Sequence, residues 1–164
     1  MGKMGKFTAS GLKKLQKQLN KIQARDVDAF VEGCAKELAA RLLAKVIKRT
    51  PVGDYPKDSG KKGGTLRRGW TSQQSDSGLE GMKISEAKGY VDSLKINHYG
   101  GFLVIEIVNP VEYASYVEFG HRTADHKGWV QGRFMLTMSE QEIQEIAPEV
   151  LEAKIKKYLA GCMK

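Results

Sequence analysis

Cysteine is nearly absent: the chain of 164 residues holds two, Cys34 and Cys162, near opposite ends. They match no metal-ligand spacing, and Cys34 falls among the apolar positions of a helical pattern, which predicts a buried, reduced thiol. No apolar run approaches the roughly 20 residues that cross a bilayer, and the start MGKMGKF has no signal-peptide apolar region. These features predict an intracellular protein without a membrane span. No internal repeat is present. No serine or cysteine sits in a nucleophile-elbow context, which leaves nucleophilic catalysis without a candidate. The segment GKKGG at Gly60–Gly64 follows no strand and lacks the Lys-Ser or Lys-Thr ending of a phosphate loop. The length suits one domain over residues 1–164, with a helical extension over 1–25 and a long basic loop over 51–69.

Charge is plentiful but uneven. From Met1 to Trp70 there are 17 Lys and Arg against 6 Asp and Glu; from Thr71 to Lys164 there are 10 against 13. A basic first part and a mildly acidic second part suit a charged partner or head-to-tail contact between copies. A nucleic-acid-binding module is the other reading of the basic part, although no recognised binding motif accompanies it.

Hydrophobic spacing sets the element order. Leu12, Leu15, Leu19 and Ile22 share one helical side, and Val27, Phe30, Val31, Cys34, Leu38, Leu42 and Val46 continue the period. Asp26 or Asp28 is a candidate cap. Thr50-Pro51 stops the helix, because the residue before proline is pushed out of the helical region. Pro51 to Gly69 is rich in glycine and lysine and reads as a long mobile loop. TLRRGWTSQQ reads as a strand anchored by Trp70, and Asp76 to Gly89 as a second loop or a long hairpin. YVDSLKIN and FLVIEIV, joined by a turn at Tyr99–Gly101, read as an antiparallel hairpin. In its second strand Leu103, Ile105 and Ile107 form one face, and Phe102, Val104 and Val108 with Glu106 the other, which predicts a central strand covered on both sides. VEYASYVEFG fits a short helix ended by Gly120 in a left-handed conformation, with Tyr113, Tyr116 and Val117 on one face resting on the sheet and Glu118 exposed. His121 to Gly132 reads as loop. Phe134, Met135 and Leu136 close the core, and Ser139 with Glu142 has capping-box spacing for a last helix that Pro148 kinks or divides. The predicted fold class is α+β: a small antiparallel sheet packed against a long N-terminal helix and a C-terminal helix, with long mobile loops.

The densest chemistry lies in YASYVEFGHRTADHKGW. His121, Asp125 and His126 are metal-ligand types, but the two histidines are at i, i+5, which turns their rings apart on a helix, and no supported third ligand is evident. Glu112 and Glu118 fall on different faces of a short helix, so no acid–base pair follows. No cofactor is called for. The bland reading, packing, accounts for the aromatic residues.

Three segments in order carry a resemblance: Thr50, Pro51, Val52, Leu66, Arg67 and Trp70; then Tyr113, Ala114, Tyr116, Val117, Glu118 and Gly120; then Arg133, Phe134 and Leu136. Together they resemble the gene-ten-like tail-component family of the HK-type lambdoid phages, which includes tail-completion and head–tail joining proteins, over roughly Leu38 to the C-terminus. The loop Val52–Thr65 is longer than the family's compact form, and Asp76–Gly89 has the look of an insertion. The resemblance implies a non-enzymatic virion protein of the neck, made in the host cytoplasm, forming a homo-oligomeric ring, six copies being the expectation. Connector, neck, tail-tube or tail-terminator proteins would be its partners, with DNA passing through without specific binding. A tail terminator is the neighbouring alternative. Pro51, Trp70, Tyr113, Tyr116, Val117, Gly120 and Phe134 form the motif core. Lys57, Lys61, Lys62, Arg67, Arg68, Glu118, His121 and Arg122 are the expected subunit or partner contacts.

Overall fold

A computed structural model describes residues 20, 24–60, 62–71 and 83–162. The stripe Leu12, Leu15, Leu19 and Ile22, together with Lys61, lies outside them. Helix α1 spans Ala24–Arg49 and supplies the centre of the core: Ala40, Leu43, Val46 and Ile47 recur at helical spacing and are buried. It ends where expected. The Thr50 hydroxyl donates to the Val46 carbonyl at 2.6 Å, and Pro51 has no N–H with which to continue the ladder.

Two predicted extended or irregular segments are helical instead. Thr65–Gly69 forms a short helix, α2, because Leu66 and Trp70 at i, i+4 both reach the core and are buried. The strand expected at TLRRGW is therefore absent, and the basic loop shortens to residues 51–64, with a single 3-10 turn at Lys57–Ser59. Ile84–Ser93 forms α3 across the expected loop and strand. Ala87 and Val91, one turn apart, are fully buried on one side. At its start the Lys83 N–H donates to the Glu86 carboxylate at 3.2 Å, occupying a donor the helix itself cannot satisfy.

The hairpin survives in shorter form. Strands β1, Asn97–Tyr99, and β2, Phe102–Val104, pair antiparallel with Tyr99 opposite Phe102, around the turn at Gly100-Gly101. Leu103, Ile105 and Ile107 face inward as the alternation requires, but the opposite face is not covered: Phe102 is 74% exposed and Val108 57%. After Asn109-Pro110, α4 spans Ala114–Phe119. Residues expected as loop then form a second antiparallel hairpin, β3, Gly120–Arg122, with β4, Trp129–Gln131. The last helix, α5, runs unbroken from Met135 to Cys162 with Pro148 inside it. It starts a turn before Ser139, whose buried hydroxyl donates to the Met135 carbonyl at 2.6 Å rather than capping. Among the described residues the fold is thus α+β, with five α-helices and two small antiparallel hairpins. Helices α3 and α5 both pack on α1, and Phe30 stacks on Tyr158 at 4.4 Å between ring centres.

Candidate assembly surface

Thr50 is the joint of the first motif. Its hydroxyl accepts from the Trp70 indole N–H at 2.8 Å while donating to Val46, and its carbonyl accepts from Arg67 Nη2 at 2.6 Å and Nε at 3.0 Å. Burial pushes the Arg67 guanidinium down from its ordinary value, and the two bonds to one carbonyl hold it in place. Asn109 adds a further tie, its amide donating to the Leu66 carbonyl at 2.7 Å. Thr50, Pro51, Leu66, Arg67 and Trp70 therefore close the base of the 51–64 loop. The two limbs of that loop touch at Gly53 and Gly63, where a Cβ on Gly63 would lie 2.1 Å from the Gly53 carbonyl oxygen.

Glu118 is the joint of the second and third motifs. The sequence reading placed it on the surface; it is 6% exposed. Its carboxylate accepts from the backbone N–H groups of Leu136 at 3.0 Å and Thr137 at 2.9 Å, and from the Thr137 hydroxyl at 2.8 Å. Those amides belong to the first turn of α5, which has no donors' partners of its own, and a carboxylate there also suits the positive end of the helix dipole. Backbone bonds from Arg133 N–H to the Val117 carbonyl and from Phe134 N–H to the Glu118 carbonyl, 2.8 and 3.0 Å, fix the same junction. Phe134 takes a left-handed φ of 48° as the chain turns into α5. Gly120 has φ 88° and ψ 172°, a positive φ as expected but not the left-handed helical cap. At Gly132 a Cβ would meet the Glu118 carbonyl oxygen at 2.3 Å, so no larger residue fits without movement.

The remaining expected contacts divide by exposure. Lys57, Lys62, His121 and Arg122 face solvent. Arg67 and Arg68 are half-buried, and Arg68 donates to the Gly63 carbonyl at 3.3 Å, so both spend their charge partly inside the chain. Tyr113 and Tyr116 do not rest on a sheet. They are 43% and 58% exposed, while Ala114 and Val117 of the same turns are half-buried against the core cluster that holds Trp70 and Met135. Tyr116 meets the His121 ring edge-on at 5.8 Å. No group of three or more His, Cys, Asp or Glu is placed to hold a metal among the described residues. Asp125 instead accepts from the Thr123 hydroxyl and the Lys127 N–H, bonds that lower its pKa from the ordinary carboxylate value and shape the β3–β4 turn. Burial raises the Cys34 thiol pKa, as expected of an inert core cysteine.

Large apolar side chains reach solvent where the sequence pattern announced burial or loop. Tyr99, Phe102, Val108, Phe119 and Trp129 are all more than half exposed, spread over both hairpins and α4. Reading FLVIEIV as a covered central strand hid its outer face, and reading 121–132 as loop hid Trp129.

Thr50, Arg67, Trp70 and Glu118 are thus engaged in holding segments of the chain together. The chain belongs to the family described as "Bacteriophage HK97-gp10, putative tail-component", which it matches over residues 13–120. The match begins before Leu38, where the resemblance was first traced, and ends at Gly120, so Arg133, Phe134 and Leu136 lie beyond it. No curated protein and no solved structure matches the chain. No helix among the described residues is long and apolar enough to cross a membrane.

Proposed function

We propose that this phage tail component is a non-enzymatic subunit of the neck, completing the tail or joining it to the head as a closed ring of identical copies. The observation that carries the proposal is the exposed apolar surface. Tyr99, Phe102 and Val108 on one side of the chain's sequence and Phe119 and Trp129 on another belong to different elements, yet each is more exposed than buried. Large apolar residues exposed on both hairpins, on α4 and on the stretch after β2 fit a subunit that completes its burial by assembly. Exposed apolar residues on different elements suit heterologous, ring-closing contacts between unlike surfaces. The exposed Lys57 and Lys62 of the 51–64 loop are suited to an acidic surface on a neighbouring protein.

Deleting the coding sequence and separating the products on a density gradient tests this reading. Filled heads and unattached tails are expected to accumulate, with the protein present in wild-type tails. Normal tailed particles in the deletion would refute it. Tails of uncontrolled length would point to the terminator role instead.

A further inference from the structure

We infer that Val104–Val108 is an open sheet edge that receives strand β3 of a second copy, with Glu106 set opposite Arg122. The first observation concerns the backbone. The stretch after β2 enters no helix, turn or ladder, and among the described residues no hydrogen bond reaches the N–H or C=O of Ile105, Glu106, Ile107 or Val108. The pairing register would place Ile96 opposite Ile105, but β1 begins only at Asn97, after α3 has ended at Ser93, and the ladder stops there. A run of Ile, Glu, Ile and Val has strong strand preference and carries neither the proline nor the lysine that usually protects an edge.

The second observation concerns the side chains. Burial alternates strictly from Phe102 to Val108: Leu103, Ile105 and Ile107 are half-buried, the two isoleucines against the core, while Phe102, Val104, Glu106 and Val108 are exposed. A sheet face turned to water is ordinarily polar. Here the outward face has one charge, Glu106, between two valines.

Charge complementarity selects the occupant. Arg122 on β3 is exposed and, like Glu106, forms no ion pair among the described residues. Its cross-strand neighbour is Trp129, 59% exposed. Adding β3 antiparallel to Val104–Val108 gives the idle backbone groups partners. It sets Arg122 against Glu106 and lays Trp129 beside the valine face. The two edges differ, so the contact is heterologous and repeats around a ring; the choice of a second copy rests on the ring reading above.

The test uses the full chain with Cys34→Ala and Cys162→Ser, into which Glu106→Cys or Arg122→Cys is introduced singly. Each variant is treated with a short bis-maleimide, alone and as an equimolar mixture. Covalent dimers are expected in the mixture and not in either variant alone. Dimers in the Glu106→Cys sample alone would mean self-pairing of the edge and would overturn the assignment, as would no dimer in any sample. A second arm needs no cysteine. Glu106→Arg and Arg122→Glu should each weaken self-association roughly tenfold in sedimentation velocity, and the double variant should recover it. No recovery would also overturn the pairing. If the protein enters tails while the mixture fails to cross-link, strand addition fails and the neck reading stands; intact particles after gene deletion would sink the neck reading independently.

Discussion

Replacing Glu118 should destabilise the protein more than any other single change on its surface-facing helices. The carboxylate serves two backbone amides and one hydroxyl at the start of α5, and nothing else among the described residues can serve them. Removing a helix cap costs about 1 kcal/mol, and a hydrogen bond to a charged group contributes about 1.5–3 kcal/mol, with overlap between the two. Glu118→Ala should therefore cost about 3 kcal/mol, and for a chain of this size about 2–4 °C per kcal/mol gives a fall in Tm of roughly 6–12 °C. Glu118→Gln keeps one acceptor oxygen and the shape, and should lose about half as much. Thermal unfolding followed by far-ultraviolet circular dichroism, with urea midpoints as a second measure, is sufficient. If Glu118→Ala unfolds within about 1 °C of the parent, the residue is not the cap of α5, and the account of the YVEFG motif as a helix joint fails.

Other consequences are simpler to state. Trp70→Phe keeps the ring in the core but removes the indole donor to Thr50, and should cost about 1–2 kcal/mol in urea unfolding. Glu142 accepts hydrogen bonds from Lys45 and Arg49, which hold its carboxyl below its ordinary value of 4.5. A carboxyl lowered by folding stabilises the native state above its unfolded pKa and loses that contribution as pH falls through the folded one. Glu142→Gln should thus narrow the stability gap to the parent below about pH 4.5, and a constant gap from pH 7 to pH 3 would contradict the pairing. Gly132→Ala forces a Cβ onto the Glu118 carbonyl and should destabilise, whereas Gly33→Ala enters open space inside α1 and should stabilise by about 1 kcal/mol; equal Tm values for the two would refute the contrast. Lys57→Glu with Lys62→Glu should leave Tm unchanged and lower the yield of joined particles.

The parts of the fold governed by short-range pattern were legible. The spacing of Cys34, Leu38, Leu42 and Val46 announces α1, and the alternation of Leu103, Ile105 and Ile107 announces the inward face of the hairpin. Segments whose burial is decided by distant partners were not. Ala87 and Val91 belong to a helix because α1 covers them, yet Gly89 between them and the aromatic β-prone Tyr90 suggested a turn and a strand. Glu118 looked like a surface charge because its partners, Leu136 and Thr137, stand 18 and 19 residues further on. Ser139 and Glu142 have the spacing of a capping box, but Met135 enters the core a turn earlier and carries the helix start with it, leaving Glu142 to Lys45 and Arg49. The roles of Thr50, Trp70 and Glu118 as internal joints needed three dimensions.

The knot at Thr50 has a consequence for how such a subunit can diversify. Arg67 and Trp70 clasp Thr50, and Gly53 touches Gly63, so the chain leaves and re-enters the core through a fixed gate. Changes between those glycines leave this gate itself intact, and doubling the length of the segment should cost only about 0.6 kcal/mol of closure entropy. Residues 54–62 can therefore be exchanged like the bit of a tool, giving one handle many fittings without retuning the handle.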